Sequence, residues 1–519
     1  MKHRSQLDAA IEKAWQLRDF DLGAVLILQA LSLCPSENEQ TRYWDQLITL
    51  VFQGHFQFIE MLLLQMQEEA PANASLYLVL GICSQQSGLP KRARFWLEQS
   101  LSLNLKLFKT HQAYLWSYLL DPELNFKARI RPFQEYGQIL AHHHPQASAY
   151  QVNIDPEKKI RIGYVSSDFY DHSVVHMYAP LFALKNSQAF EVYAYATIGR
   201  EGPMHEWFQN QAHCLRNIEG FSTEDAVKCI QNDKIDILVD LNGPTFGNRL
   251  DIFAAKPAPI QITGLGFGWT SGLASMDYIF TDHYLLPPEL AQAVPEQPLY
   301  LSSIFHWLAD QDIQNFEPHR KTRPPSPCFG AFHQVLKINH SMLTLWAEIL
   351  RTIPESRLLL KDRGLDHAGA QAYYRLLFKA KGIAPERILF AGRTSQREHV
   401  QAYQSVDLVL DTFPYQAGIS ACEALYMGVP IISLQGGNRG AESLMHAIGH
   451  PEFLANSGQN YIDKAVKLIQ DSEQLNAYRA CLRKDLFNSS VSNLSEFSAE
   501  CEAYYREIWR HWCSQAHKS

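Results

Sequence analysis

The stretch VLDTFPYQAGISACEALYMGVPIISL, residues 409–434, halts an apolar run at Asp411, passes through small and polar residues, and turns apolar again. Residues 409–410 and 429–434 have the character of short buried strands, and 420–427 has helical composition closed by Gly428, so the unit reads strand, loop, helix, strand. In an open parallel sheet the loop after a strand lies at the carboxyl edge, where ligands bind. The amides that open the next helix lack intrahelical partners and suit an anion. A phosphate site is one reading of the stretch and an ordinary βαβ crossover is the other; fold alone does not choose between them.

Working outward, 519 residues with 46% hydrophobic content are enough for roughly three domains at about 150 residues each. A net charge of −8, with Lys and Arg scattered along the chain, gives no electrostatic footprint for nucleic acid. The first residues, MKHRSQLDAAIEKAWQLRDF, alternate charged and apolar side chains at helical spacing and lack the apolar core of a signal peptide. No uninterrupted apolar run approaches the roughly 18 residues of a membrane-spanning helix. The nine cysteines are dispersed without a CxxC pair, the pattern of reduced thiols, so the expectation is a cytoplasmic protein with no membrane and no nucleic-acid partner.

Near the N-terminus Asp19, Gly54 and Gly88 fall 35 and 34 residues apart, and each is followed five positions later by Ala24, Ile59 or Ala93 and an amphipathic run. That is the rhythm of tetratricopeptide repeats, an all-α stack whose concave face is a candidate for holding a peptide. The alternative is a helical bundle of accidental spacing. Further on, IRIGYVSSDF, FEVYAYAT, IDILVDLNG and IQITGLGFG form one β-rich series, and CFGAFH, SRLLLKD, RILFAG, VDLVLDT and PIISLQG form a second. Strands alternating with helical or polar segments signal α/β domains with largely parallel sheets. The proline-rich NFEPHRKTRPPSP separates the series. The expected domains are 1–152, helical repeats; 153–315, a Rossmann-like domain; 316–328, a linker; and 329–519, a second Rossmann-like domain with a terminal helix, the two α/β domains leaving a cleft between them.

There is no GxxxxGK[ST] loop, no GxGxxG after a first strand, no GxSxG and no HExxH. Asp-x-Asp occurs at Asp19–Asp21 and Asp310–Asp312, neither after a strand of either series, and Asp233, Asp236 and Asp240 are spaced too widely in sequence for a compact metal site. The expectation is chemistry without a metal. Ser166, Asp168, His172 and His176 follow the first strand at the sheet's carboxyl edge, and His172 is placed to accept a proton. Gln334 and Lys337 lie between a strand and a helix. A lysine at a helix entrance opposes the helix dipole unless an anion offsets it.

From about Ile160 onward the chain resembles the O-linked N-acetylglucosamine transferase family, including its SPINDLY-like branch. The resemblance is carried by RIGYVSSDFYDHSVVH, DILVDLNG, KPAPIQITGLGFGWTSG, MDYIFTD, HQVLKI, PERILFAGR, REHVQAYQSVDLVLDTFPY and CEALYMGVPIISLQG, in the family's order and behind its repeats. It implies a GT-B fold of two facing Rossmann-like domains and metal-independent, inverting transfer of a sugar from a nucleotide donor to Ser or Thr hydroxyls of proteins. By the same resemblance Lys337 contacts the donor diphosphate, Gln334 lines the donor site, His399 packs against the base, Glu423 takes the ribose, and Gly418, Ile419 and Ser420 form the phosphate loop. His172 matches the active-site histidine, and Asp240 is a second candidate for the same proton. Ile419 stands where relatives carry a threonine, GYPGT has become Gly266-Phe267-Gly268-Trp269-Thr270, and Gln396 and Ala402 replace basic residues that flank the base-binding histidine in animal enzymes.

UDP-N-acetylglucosamine is the expected donor substrate, with no cofactor, and protein or peptide acceptors the expected partners. A GDP-fucose-dependent protein O-fucosyltransferase and an inactive repeat-bearing binding protein are the alternatives. A chain beginning near Asn153 is expected to keep nucleotide binding and lose activity on proteins.

Overall fold

The computed structural model describes residues 2–34, 37–69, 72–146, 150, 152–184, 186–309, 313–314, 316 and 326–517. The Asp310–Asp312 pair and residues 317–325 of the expected linker 316–328 lie outside the described residues. By compactness the chain forms two units. Unit I comprises Met1–Glu123, Gln311–Gly437 and Phe453–Leu482; unit II comprises Leu124–Asp310, Asn438–Glu452 and Arg483–Ser519.

The chain opens on helices α1 (Lys2–Gln16), α2 (Phe20–Ser32), α3 (Glu37–Leu50), α4 (Phe56–Glu69), α5 (Ala74–Gln86), α6 (Pro90–Leu103), α7 (Phe108–Leu119) and α8 (Phe126–His143). The repeat reading holds: Ala24, Ile59 and Ala93 are all fully buried, one per helical pair. Its register shifts at the first turn. Gly54 (φ 102°) and Gly88 (φ 69°) take the left-handed conformation, and their counterpart is Arg18 (φ 57°) rather than Asp19. Arg18 N–H bonds Trp15 O and Asp19 N–H bonds Ala14 O, matching the pair that Gly88 and Leu89 make to Gln85 and Ser84. Asp19 instead caps α2, its carboxylate accepting from Leu22 N–H at 3.1 Å. The segment Glu39–Glu68 has the length and apolarity of a membrane-crossing helix. Gly54 breaks it into α3 and α4, and half of its most apolar window is buried inside the protein.

Unit II is built on β1 (Ile160–Ser166), β2 (Phe190–Ala196), β3 (Cys214–Asn217), β4 (Ile237–Asp240), β5 (Ile260–Thr263), β6 (Tyr278–Thr281) and β7 (Gln297–Tyr300), in the order β3-β2-β1-β4-β5-β6-β7. All of its pairs are parallel. The strand order reverses between β1 and β4, so the loops after Ser166 and Asp240 flank the switch point where such sheets bind ligands. The terminal helix Leu494–Ala516, which follows the second strand series in sequence, packs here. Its fully buried Tyr505 bonds Tyr164 of β1 at 3.0 Å, and Trp509 donates to Asp155 O.

The sheet of unit I comprises β8 (Cys328–Ala331), β9 (Arg357–Lys361), β10 (Ile388–Ala391), β11 (Leu408–Leu410), β12 (Ile431–Leu434) and β13 (Leu454–Ala455), ordered β10-β9-β8-β11-β12-β13 and parallel throughout. Its switch point lies between β8 and β11, and the stretch 409–434 supplies β11, the helix Ile419–Tyr426 and β12. Helices α1–α7 belong to this sheet's unit. The repeat turns touch it backbone to backbone: a Cβ on Gly54 would collide with the Gly364 carbonyl, and one on Gly88 with the Ile338 carbonyl.

Candidate functional site

The apolar run stops at Asp411 because the loop after β11 folds around that carboxylate. Asp411 is buried; one oxygen accepts from Thr412 N–H (2.8 Å) and Ala417 N–H (2.9 Å), the other from the Ser433 hydroxyl (2.6 Å). Burial raises its carboxyl to about 6. From the short 3-10 turn Val335–Lys337 after the neighbouring strand β8, Lys337 reaches the same loop. Its ammonium donates to Gln416 O at 3.3 Å and lies 4.7 Å from the centre of the Tyr415 ring. Burial lowers Lys337 from 10.5 to about 8, against the pull of Asp411 and Asp362. Trp116 of α7 backs Tyr415 at 5.0 Å between ring centres.

Gly418 precedes the helix Ile419–Tyr426 and offers it no side-chain cap. Among the described residues, the Ile419 and Ser420 amides and the Ser420 hydroxyl have no recorded partner. An ammonium and a set of unpaired helix-opening donors on adjacent switch-point loops form a site for a di-anion. Gln334 lies exposed on the loop after β8, its carbonyl accepting from Lys337 N–H at 2.9 Å.

Toward β10, His399 and Glu423 meet: Nε2 of His399 lies 3.2 Å from one oxygen of Glu423, while Gln396 donates to the other at 2.8 Å. Glu423 is buried and already held by side chains on both oxygens. Tyr403 links the two groups, donating to Ser420 O (2.9 Å), stacking on Phe332 (4.1 Å) and standing edge-on to His399 (5.8 Å).

In unit II, His172 is exposed on the loop after β1. Its Nδ1 accepts from Val174 N–H at 3.3 Å, a bond that leaves Nε2 unused among the described residues. Asp240 departs from the expectation of a proton acceptor. It is 2% exposed and fully engaged by Asn242 N–H, Gly243 N–H and the Thr263 hydroxyl, so it anchors the loop after β4; burial raises it to about 6. Ser166 and Ser167 are likewise buried in loop-fixing bonds. Asp236 pairs with Lys158 and Asp233 with Arg216.

One group in unit I has the composition of a metal site: ligand atoms of Asp21, His55 and His367 lie within 4.8 Å of one another. His55 Nδ1 is 2.8 Å from Asp21, and Nδ1 of His367 accepts from Gly369 N–H, which leaves its proton on the nitrogen facing Asp21. The His55–Asp21 bond, with His367 Nε2 3.9 Å from the same carboxylate oxygen, makes the trio a polar contact between repeat and α/β region.

Sequence reasoning passed over Asp411, Tyr415 and Lys361, because a polar residue ending an apolar strand reads as an ordinary strand terminus. The usable signal was position, since each lies at the carboxyl end of a strand or in the loop that follows.

Two open parallel sheets, each with a reversal of strand order, behind a helical repeat region define a GT-B type glycosyltransferase architecture. The chain belongs to glycosyl transferase family 41, whose model matches residues 136–324 and 325–501. It is 30% identical over 398 residues to a probable UDP-N-acetylglucosamine–peptide N-acetylglucosaminyltransferase SPINDLY of Arabidopsis thaliana, covering 73% of this chain and 43% of that protein. To the SEC protein of the same description and organism it is 31% identical, covering 69% of this chain and 38% of that one. The chain therefore spans about two-fifths of these curated relatives. A solved Thermobaculum terrenum O-GlcNAc transferase mutant superposes with a TM-score of 0.85 at 28% identity, over 99% of this chain and 98% of that one.

Proposed function

We propose that this protein is a protein O-glycosyltransferase that moves N-acetylglucosamine from UDP-N-acetylglucosamine to Ser or Thr hydroxyls of protein acceptors, with inversion and without a metal. The observation that carries the reading is that Lys337, at the switch point of unit I, reaches the Gln416 carbonyl of the loop that leads into the unpaired donors of residues 419–420. The acceptor hydroxyl attacks the anomeric carbon and gives its proton to the departing diphosphate as the bond to that diphosphate breaks, and the negative charge that develops there falls to Lys337 and those donors. His172, exposed on the loop after β1, orients a reacting partner through Nε2. The names of the relatives support the donor and the protein acceptor, and the repeats supply a candidate surface for the acceptor. All nine cysteines are free, which supports a reducing, cytoplasmic setting.

The test is incubation with UDP-N-acetylglucosamine, and in parallel GDP-fucose, with a mixed Ser/Thr peptide pool, reading nucleotide release and peptide mass together. Sugar-sized mass gain with UDP-N-acetylglucosamine is the expected result. Gain with GDP-fucose alone would transfer the reading to fucose, and binding without turnover would leave a scaffold.

A further inference from the structure

Lys361 ends β9, one strand beyond β8 from the diphosphate loop, and is 4% exposed. Its ammonium donates to Gly392 O at 2.7 Å and to the Thr394 hydroxyl at 3.0 Å, both just past β10. Two of its three N–H groups are thereby used, and among the described residues it makes no ion pair. A buried cation held only by neutral acceptors is costly unless a further partner completes it. The carboxylates Asp366, Asp362, Glu398 and Glu423 act on it from beyond pairing distance, so the surroundings are already anionic and favour a neutral acceptor over a second phosphate. Strands lie about 4.8 Å apart, which sets the end of β9 about 10 Å from the end of β11, whose loop leads to residues 418–420. Glu423 and His399 border the same edge.

We propose that Lys361 reads the nucleobase of the donor, its remaining N–H bonding the exocyclic carbonyl that uracil and guanine present where cytosine and adenine present an amino group. The inference rests on the donor reading above. It explains how a chain lacking the flanking basic residues of animal enzymes at Gln396 and Ala402 still selects a base: the cation comes from beneath, on β9.

Calorimetric titration of the full chain with UDP, CDP, GDP and ADP tests it. The wild type is expected to bind UDP over CDP, and GDP over ADP, by about tenfold or more, because the amino-bearing base would leave a buried charged donor facing another donor. In Lys361→Met both ratios should fall toward one, with CDP and ADP affinities little changed. Equal binding of all four by the wild type, ratios preserved in Lys361→Met, or uniform weakening of all four, which would mark a loop brace, overturns the inference. Should Lys361→Met not fold, Thr394→Val carries the test, since loss of one anchor must lower the UDP-to-CDP ratio and an unchanged ratio overturns the proposal. If the wild type binds no nucleoside diphosphate, the donor reading fails and this inference with it.

Discussion

Lys337 stands at the entrance of the helix His340–Thr352, where a positive charge opposes the helix dipole, and it is buried enough that its ammonium is held down to about 8. Neither condition favours a cation in the empty protein, and a diphosphate relieves both. Lys337→Ala is therefore expected to melt at or above the wild-type temperature while losing about 100-fold or more in turnover, the usual scale for one preorganised donor to a developing charge. Thermal melts beside nucleotide-release assays separate the two effects. The same burial fixes a pH dependence. Lys337 gives up its proton as pH rises through about 8, so UDP affinity is expected to fall across that value and to stay level in Lys337→Arg, whose guanidinium keeps its charge. Titrations between about pH 7 and 9 decide it. Lys337 was legible in the sequence because charge and helix entrance are both local. Lys361 was not, because its meaning depends on Gly392 and Thr394, some thirty residues away in sequence.

At the level of elements, the repeats bear on the proposed donor site itself. The Gly88 turn abuts the Ile338 carbonyl, one residue past Lys337, and Trp116 supports the Tyr415 ring beneath the Lys337 ammonium. An alanine at Gly88 would need a left-handed backbone costing about 1–2 kcal/mol and would meet that carbonyl as well. Gly88→Ala is expected to lower the melting temperature and to weaken UDP binding together, whereas a purely peptide-holding repeat would leave UDP binding intact. The structure thus reverses the expectation for a chain beginning near Asn153. Without α1–α7 it should lose nucleotide binding, measured by titration once circular dichroism has reported what remains folded. Helical pairing was readable from the period of Gly54 and Gly88; which sheet the pairs would cover was not, because both sheets offer apolar surface. Strands β3 and β7 escaped the sequence reading for a similar reason: CLRN is half exposed and QPLY carries a proline at the sheet edge, so neither shows a buried strand's continuous apolar run.

Over the whole molecule, two buried histidines weaken the fold in acid. Burial holds His306 in unit II and His333 in unit I down to about 3, far below the roughly 6.5 of an unfolded chain. The unfolded state takes up protons that the fold refuses, so the stability these neutral rings contribute is complete above about pH 6.5 and is lost as pH falls toward 3. These two rings are expected to pull the melting temperature down through that window, most clearly below about pH 4, because between about pH 6 and 4 the raised carboxyls of Asp240 and Asp411 take up protons in the fold and offset part of the loss. His306→Phe, which keeps a ring on Phe497 where the imidazole stacks at 3.7 Å, should reduce the slope by about one proton. The two-sheet architecture was legible because parallel strands are apolar on both faces. The chain's repeated passage between units was not, since compactness depends on contacts hundreds of residues apart.

The bond between Tyr164 and Tyr505 spans 341 residues. At about 5–20 residues per second, a ribosome that has delivered β1 needs roughly 17–70 seconds more to deliver the helix that covers it. During that interval the nascent sheet of unit II presents the apolar face that Tyr505 and Trp509 will close, so its newborn chain is a client for holding chaperones in a way that the repeat helices, complete with their neighbours within about 35 residues, are not.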